Sequence, residues 1–168
     1  MAIVAIAAMT IDGKIARHSS ELTDWTSPED KALLTGLMDK SDVIVIGNST
    51  YKTAEEPLSK RNCIVLTRSV ATTERRSEKL LFCNPDRASL ADLLRPFATV
   101  ALLGGTQTYT YFLQHDLLDE LYLTIEPVIF GSGLSLFEGA FGGNVRLNLR
   151  SLKQLNDQGT ILLHYNRK

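Results

Sequence analysis

The chain has 168 residues, of which 44% are hydrophobic and 22% are charged, and its 18 basic residues nearly balance its 19 acidic ones. This is the composition of one ordinary globular domain, and the formal net charge of −1 excludes the basic footprint of a nucleic-acid-binding protein. The longest apolar run, residues 1–9, is too short to span a bilayer and has neither a basic flank nor a cleavage site. We therefore expect a cytoplasmic protein without nucleic-acid or membrane partners.

The cysteines and histidines show no metal-ligand spacing. Cys63 and Cys83 each stand in a strand-like run, which predicts two buried thiols rather than a disulfide or a zinc site. The three histidines, His18, His115 and His164, have no partner at ligand spacing. We expect no bound metal.

The first half of the chain alternates short apolar runs with amphipathic stretches, which predicts strands separated by helices. Residues 2–9 and, after its first residue Asp42, the run 42–46 are apolar, as is typical of strands that are buried on both faces. Between them, a serine, a proline and two acids at positions 27–30 predict the start of a helix. That helix should end at about Met38 or Asp39.

The middle of the chain continues this alternation. Residues 63–66 and 99–103 predict two further buried strands. Residues 89–97 predict a second amphipathic helix, and a third should begin near Thr106 and end around His115.

The last third differs in pattern. Residues 119–126 alternate as a strand does, and residues 144–168 form two more alternating segments around a turn at 156–159, which predicts a hairpin. About eight strands and four helices are expected, and no linker or repeat divides residues 1–168. The predicted fold class is a single α/β domain with a mixed, mostly parallel sheet, helices on both faces and a C-terminal antiparallel hairpin.

In such sheets, ligands bind outside the carboxyl ends of the parallel strands, so the turns after the buried runs are candidate sites. Two of these turns contain glycine and open a helix: residues 47–50 (GNST) and residues 104–106 (GGT). Glycine lets the backbone approach a ligand, and free N–H groups at a helix start suit a phosphate. Each turn alone is also compatible with an ordinary strand-to-helix connection. The motifs GxGxxG and GxxxxGK[ST] are absent, which argues against Rossmann and P-loop sites.

Two further segments could belong to a site. The long polar stretch from Thr10 to Asp24 has the length of a flap over a cavity, although a plain surface loop fits equally well. Asp30 and Leu34 are four residues apart and face the same way on the predicted helix, so they could line one pocket wall. Asp30 also fits as an ordinary acid at a helix N-terminus.

Taken in chain order, these segments resemble the dihydrofolate reductase superfamily, which includes the reductase domain of riboflavin biosynthesis. The resemblance implies the three-layer fold of that superfamily and an NADPH-dependent hydride transfer to a small molecule. It is carried by residues 6–13, by Trp25-x-x-Pro28-x-Asp30, by residues 46–51 and 65–68, by Gly104-Gly105 with Tyr109, and by residues 121–124.

The resemblance implies NADPH as the cofactor. It places the nicotinamide beside Ala8 and Ile15, and it places Arg68, whose planar fork pairs with phosphate oxygens, at the 2′-phosphate. Asn48 stands where family members commonly carry a basic residue, which weakens the expected preference for NADPH over NADH. The other implied cofactor contacts are Gly47, Ser49, Thr50, Thr67, Gly104, Gly105, Thr106, Gln107 and Tyr109.

The resemblance leaves two substrates open. For dihydrofolate, it implies Asp30, Thr124 and Trp25 as catalytic residues, because a buried carboxylate helps to protonate the pterin ring. The implied substrate contacts on this reading are Ala8, Leu34, Leu58, Lys60 and Arg61, of which the last two would hold the tail carboxylate.

The alternative substrate is the phosphoribosylaminopyrimidine of the riboflavin pathway. Residues 12–16 (DGKIA) and 126–133 (EPVIFGSG) are more similar to that branch, whereas residues 55–61 resemble its substrate loop only loosely. The combination of the Trp-x-x-Pro-x-Asp segment with the Thr-Arg strand end favours dihydrofolate. A member that binds a nucleotide without reducing anything is a third possibility, and both a monomer and a homodimer are compatible with the sequence.

Overall fold

The computed structural model describes residues 1–167, and its elements follow the alternation of the apolar runs. The strands are β1 (Ala2–Thr10), β2 (Lys14–Ala16), β3 (Val43–Gly47), β4 (Cys63–Leu66), β5 (Thr73–Ser77), β6 (Leu80–Cys83), β7 (Thr99–Leu102), β8 (Glu120–Glu126), β9 (Leu134–Ser135), β10 (Leu147–Gln154) and β11 (Ile161–Arg167). The helices are α1 (Pro28–Asp39), α2 (Asn48–Leu58), α3 (Leu90–Leu94) and α4 (Thr106–Gln114).

Nine strands form one sheet in the order β10-β11-β8-β1-β7-β3-β4-β6-β5. The six strands from β8 to β6 run parallel, while β11, β10 and the opposite edge strand β5 are antiparallel to their neighbours. The predicted α/β class, the mostly parallel sheet and the C-terminal antiparallel hairpin are confirmed. The sheet has nine strands where about eight were expected.

The core lies on both faces of this sheet. On β3, Ile44 and Ile46 pack in one apolar cluster with Met38 of α1. Val43 and Val45 pack in the other cluster, which includes residues of α3 and α4. Successive side chains of a strand point to opposite faces, so a continuous apolar run is what two covered faces require.

The start of α1 is built by the residues that predicted it. The Ser27 hydroxyl accepts a hydrogen bond from the Asp30 N–H at 3.3 Å, Pro28 occupies the first helical position, and Glu29 and Asp30 lie in the first turn. The helix ends at Asp39, as expected. This cap fixes the rotation of the first turn, which leaves Asp30 buried against the sheet.

Three strands, β2, β5 and β9, were not identified from the sequence, and one helix is shorter than predicted. The edge strand β5 (TERRS) is fully exposed, and β6 pairs between it and β4. β2 and β9 pair with each other in a separate two-stranded sheet. An exposed edge strand and strands of two or three residues carry no hydrophobic period that a sequence pattern can reveal. α3 covers five residues rather than residues 89–97.

None of the helices within residues 1–167 is both long enough and apolar enough to cross a membrane.

Candidate active site

A cavity of about 750 Å³ opens outside the carboxyl ends of the parallel strands. Its floor is formed by the ends of β1, β3 and β4 and by the turn after β7, and its walls are contributed by α1, α2, α4 and residues 18–23. This is where an open α/β sheet places its ligand. Every residue that the sequence assigned to a cofactor lines the cavity: Ala8, Ile15, Gly47, Asn48, Ser49, Thr50, Thr67, Arg68, Gly104, Gly105, Thr106, Gln107 and Tyr109.

The two glycine turns contact each other. The Gly47 N–H donates a hydrogen bond to the Gly104 carbonyl oxygen at 2.7 Å. A Cβ on Gly47 would lie 2.7 Å from the Thr108 hydroxyl oxygen, and a Cβ on Gly104, which has φ +74°, would lie 2.6 Å from the ring of Tyr109. Both positions therefore require glycine, and the rim between them is bare backbone.

The helices that follow these turns begin without a side-chain cap. α2 starts after Gly47 and α4 starts after Gly105, and within residues 1–167 neither of these N-cap positions supplies a capping hydrogen bond from a side chain. The first N–H groups of each helix have no intrahelical acceptor, and they carry the positive end of the helix dipole. Two adjacent helix starts of this kind fit the two phosphates of a dinucleotide.

Tyr109 supports this rim from below. Its hydroxyl donates a hydrogen bond to the Ile6 carbonyl oxygen at 2.5 Å, and the side chain is 4% exposed. Burial raises the pKa of Tyr109, and the charge of Asp30 adds to the rise. The hydroxyl is thus a neutral donor engaged inside the protein, and its ring is the surface on which Gly104 rests.

Arg68 follows β4 at the cavity rim. Its Nε donates to Asp86 Oδ2 at 2.7 Å, and the hydrogen bond and the charge of Asp86 raise the pKa of Arg68. This bond occupies Nε and leaves the two terminal Nη groups for other acceptors. The guanidinium is 67% exposed, which keeps it accessible to an anion.

Asp30 is the buried acid of the cavity. Its exposed fraction is 7%, and it lines the cavity with Leu34 one turn later, as the helical spacing predicted. Burial raises the pKa of Asp30, hydrogen bonds from the Thr124 and Thr26 hydroxyls oppose the rise, and the charge of Glu126 adds to it. A carboxyl whose pKa is raised by burial retains a proton at higher pH than an exposed one, and perturbed acids in clefts are candidates for proton transfer.

A family model described as dihydrofolate reductase matches residues 2–130, a span that contains both glycine turns, α1 and Arg68. The chain belongs to the dihydrofolate reductase family. Membership confirms the resemblance drawn from the order of the motifs.

Relatives of this family member include a protein of Bacillus subtilis (strain 168), the uncharacterized protein YwjB, which is 27% identical over 94% of this chain and 93% of YwjB. A diaminohydroxyphosphoribosylaminopyrimidine deaminase/5-amino-6-(5-phosphoribosylamino)uracil reductase from Thermotoga maritima has a TM-score of 0.73 at 17% identity, over 99% of this chain and 56% of that one. Dihydrofolate reductase from Enterococcus faecalis, complexed with NADP(H) and RAB-propyl, has a TM-score of 0.68 at 20% identity, over 99% and 96%. The two structures share the fold.

Two of the predicted catalytic residues lie behind the cavity wall of this family member. Thr124 is 1% exposed and does not line the cavity, although its hydroxyl lowers the pKa of Asp30. Trp25 packs edge-on against Phe130, with ring centroids 5.0 Å apart. Its indole Nε1 is buried and has no hydrogen-bond partner among the described residues. Both side chains are thus placed to support the site rather than to line it.

Three of the predicted substrate contacts lie elsewhere. Leu58 is 3% exposed in the core, and Lys60 and Arg61 line a separate small cavity, where Arg61 pairs with Asp39. α2 starts at the carboxyl edge of the sheet and returns the chain to the amino edge, where β4 begins. Residues 60 and 61 directly precede β4, so the crossover carries them away from the site. The prediction that Leu58, Lys60 and Arg61 contact the substrate is wrong, because none of them lines the cavity.

The stretch from Thr10 to Asp24 covers the cavity, and its start is fixed by Asp12. Asp12 Oδ1 accepts from the Thr10 hydroxyl at 2.6 Å, and its other oxygen accepts from the Gly131 N–H at 2.8 Å. The Thr10 bond is the main cause that lowers the pKa of Asp12, and bonds from the Phe130 and Gly131 N–H groups add to it. Asp12 therefore holds the flap to the loop after β8.

Several cavity residues were not identified from the sequence. Lys31 follows Asp30 on α1 and lines the cavity, as do residues of the flap and Tyr111 of α4. The Tyr111 hydroxyl donates to the Pro85 carbonyl oxygen at 3.2 Å. Lys31 could have been identified from its position next to Asp30. The flap was predicted as a segment, but no sequence pattern distinguished its individual cavity residues, such as His18 and Glu21. Within the described residues, no cluster of three His, Cys, Asp or Glu side chains could hold a metal ion.

Proposed function

We propose that this protein is an NADPH-dependent reductase that reduces a C=N bond of a small molecule that carries a nitrogen heterocycle. We further propose that its substrate is 5-amino-6-(5-phosphoribosylamino)uracil or a close aminopyrimidine rather than dihydrofolate. The observation that carries the proposal is that the buried carboxyl of Asp30 lines the same cavity as the two uncapped glycine turns. Membership of the family supports the same conclusion.

The cavity fits NADPH. The turns at Gly47 and Gly104 would hold the pyrophosphate, because a Cβ at either position would collide with Thr108 or Tyr109 and the backbone is bare there. Arg68 would pair with the 2′-phosphate through its free Nη groups. Ala8 and Ile15 are small or apolar and would border the nicotinamide. When bound, NADPH supplies the hydride.

Asp30 holds the proton that is added to the substrate nitrogen. Reduction of a C=N bond adds a hydride to carbon and a proton to nitrogen, so a group that retains a proton near neutral pH is needed. Burial raises the pKa of Asp30 from the ordinary value of aspartate, and the Thr124 hydroxyl partly opposes this rise. The flap over the cavity excludes water from the transfer.

The position of Lys31 favours a phosphorylated substrate. Dihydrofolate carries a carboxylate tail, and the cations predicted to hold that tail, Lys60 and Arg61, lie at the opposite edge of the sheet. Lys31 lines the cavity next to Asp30 and is exposed, so it would pair with a phosphate on the substrate. The phosphoribosylamino group carries such a phosphate, and its glycosylamine opens to the C=N bond that hydride reduces. The Thermotoga maritima neighbour is named for that substrate.

Dihydrofolate is the second candidate. The segment Trp25-x-x-Pro28-x-Asp30 favours it, since its buried carboxyl lines the cavity and could face a flat ring.

An NADPH oxidation assay with the two substrates side by side tests the proposal. We expect turnover with the phosphoribosylaminopyrimidine, and Lys31→Ala should raise its KM by about 10- to 100-fold, the loss of one charge-assisted contact. Lys40→Ala, at the far end of the same helix, is the matched control. Turnover with dihydrofolate alone would select the second candidate, and oxidation with neither substrate would leave a protein that only binds nucleotide.

A further inference from the structure

A second carboxyl lies buried beside the helix that carries Asp30. Glu126 is the last residue of β8, and its exposed fraction is 3%. Thr124 is two residues earlier on the same strand, so both side chains point to the same face of the sheet. That face is the one against which the start of α1 lies, because Glu126 accepts a hydrogen bond from the Ser27 N–H there.

One oxygen of Glu126 holds the start of α1. Glu126 Oε1 accepts a hydrogen bond from the Ser27 N–H at 2.7 Å, and the Ser27 hydroxyl in turn accepts from the Asp30 N–H at 3.3 Å. A chain of two hydrogen bonds therefore runs from β8 through the N-cap residue to Asp30.

The other oxygen of Glu126 holds the C-terminal hairpin. Glu126 Oε2 accepts from the Thr160 hydroxyl at 2.7 Å, and Thr160 is 1% exposed. The Asn156 side chain donates to the Thr160 hydroxyl oxygen and to Glu29 of α1, both at 3.0 Å. Both oxygens of Glu126 thus act as acceptors, which is the arrangement that an ionised carboxylate satisfies.

We propose that Glu126 is a positioning residue of the site, which fixes the turn that presents Asp30 and keeps a buried negative charge beside it. This inference rests on the proposed role of Asp30 as the proton-holding group. On this proposal, the tendency of Asp30 to retain its proton depends on two buried carboxyls, Asp30 on α1 and Glu126 on β8. Of these two, only Asp30 lines the cavity.

The charges around Asp30 agree in sign with this role. Burial is the main cause that raises the pKa of Asp30, and the charge of Glu126 adds to it, while Lys31 on α1 opposes it. The charge of Asp30 also raises the pKa of Tyr109 on α4, whose hydroxyl is neutral. The other titratable side chains that line the cavity are His18, Glu21, Arg68, Tyr111 and Glu138, and Glu29 precedes Asp30 on α1.

Titration of Asp30 in the unliganded protein, followed by ¹³C NMR of its carboxyl carbon, tests the proposal without turnover. Glu126→Gln keeps the shape of the side chain and removes its charge. We expect the pKa of Asp30 to fall by about one pH unit, the size of a nearby charge in a partly screened interior. The pH above which the reduction rate declines should fall by the same amount, with the fold confirmed by an unchanged amide spectrum.

Thr160→Val and Glu126→Asp are the controls. Thr160→Val removes one hydrogen bond to Glu126 but keeps the charge, so the pKa of Asp30 should stay within about a third of a unit. Glu126→Asp restores a carboxylate and should recover most of the shift lost in Glu126→Gln. An equal pKa of Asp30 in folded wild type and folded Glu126→Gln would overturn the proposal.

A wild-type measurement covers the case in which Glu126→Gln does not fold. The proposal requires the Glu126 carboxyl to hold the Ser27 N–H. If the Ser27 amide of the wild type exchanges its hydrogen as fast as an exposed amide, Glu126 does not fix the turn and the proposal is overturned. A wild-type protein that oxidises no NADPH would instead contradict the proposed function, and the titration would still report on Glu126.

Discussion

The N–H of Gly47 donates to the carbonyl oxygen of Gly104 at 2.7 Å, so the turn after β3 and the turn after β7 are joined by a backbone hydrogen bond. The two strands are neighbours in the sheet, and each turn leads into a helix whose first N–H groups lack a side-chain cap in residues 1–167. The two helix starts are therefore held at a fixed separation. A ligand with two adjacent phosphates meets a site that is already formed.

Gly47→Ala should weaken NADPH binding. The added Cβ would lie 2.7 Å from the Thr108 hydroxyl oxygen and 3.3 Å from the Gly104 carbonyl oxygen, so the two turns must move apart. Overpacking of this kind costs about 1–3 kcal/mol, which corresponds to roughly 5- to 150-fold in affinity if it falls on the binding-competent state. Calorimetric titration of NADPH measures the change.

Gly36→Ala is the control for Gly47→Ala. Gly36 lies inside α1, and a Cβ there would meet no atom within 4 Å. Alanine is the better helix former, so this variant should gain about 0.5–1 kcal/mol of stability and bind NADPH as the wild type does. Equal binding by both variants would show that the Gly47 turn does not touch the cofactor.

Arg68→Ala should reduce the preference for NADPH over NADH. The side chain is held by Asp86 through Nε, and the loss of a charge-assisted contact to a 2′-phosphate costs about 10- to 100-fold in the KM for NADPH. The KM for NADH should change by less than about twofold, because NADH lacks that phosphate. Arg95→Ala, which breaks an exposed ion pair with Asp92 outside the cavity, is the control. Equal effects on both cofactors would remove Arg68 from the 2′-phosphate site.

Asp12→Asn should loosen the flap. The ionised carboxylate of Asp12 accepts from the Thr10 hydroxyl and from two N–H groups of the loop after β8, which lowers its pKa. Stabilisation from such a group is present above the ordinary pKa of aspartate and is lost as the pH falls through the lowered value. Hydrogen exchange of the Gly131 amide should therefore be faster in Asp12→Asn at neutral pH. Asp24→Asn, at the exposed end of the flap, should leave that rate unchanged.

Much of the fold is predictable because parallel strands covered on both faces leave a strong pattern. The run at Val43–Gly47 and the cap at Ser27 have local causes, namely side-chain alternation and a hydroxyl at a helix start. β5 was not predictable in this way, since all five of its residues are exposed and its pairing with β6 depends on the rest of the sheet. Local pattern finds buried elements and misses those that tertiary pairing alone creates.

The candidate site was predictable where a residue follows a strand at the carboxyl edge. Arg68 directly follows β4, and Gly104 follows β7. The predicted tail contacts failed because Lys60 and Arg61 precede a strand, and parallel topology sends the start of every strand to the opposite edge. Glu126 was identified only as part of a family motif. Its contact with Ser27 spans 99 residues of sequence, which no local pattern encodes.

Asp30→Asn tests two effects of the buried carboxyl, one on the stability of the protein and one on the reduction rate. Burial raises the pKa of Asp30 in the folded protein, so the stability associated with this group is fully present below the ordinary pKa of aspartate and is lost as the pH rises through the raised value. At neutral pH, where aspartate is ionised in the unfolded chain, this buried group therefore destabilises the fold. The amide of asparagine cannot ionise, so we expect the variant to have a higher Tm than the wild type at pH 7, a difference that vanishes below about pH 4.

The same variant should lose about a hundredfold or more in reduction rate, the scale of a lost general acid. Glu29→Gln, at the adjacent position on α1, is the matched control, because the pKa of Glu29 is shifted in the opposite direction to that of Asp30. A hydrogen bond from Asn156 lowers the pKa of Glu29, so its contribution to stability is present above the ordinary pKa of glutamate, and its removal should not raise the Tm at pH 7. Thermal unfolding across pH and initial rates measure both effects. An Asp30→Asn protein with a lower Tm and full activity would show that the buried carboxyl is a structural hydrogen-bond acceptor and not the proton-holding group of the site.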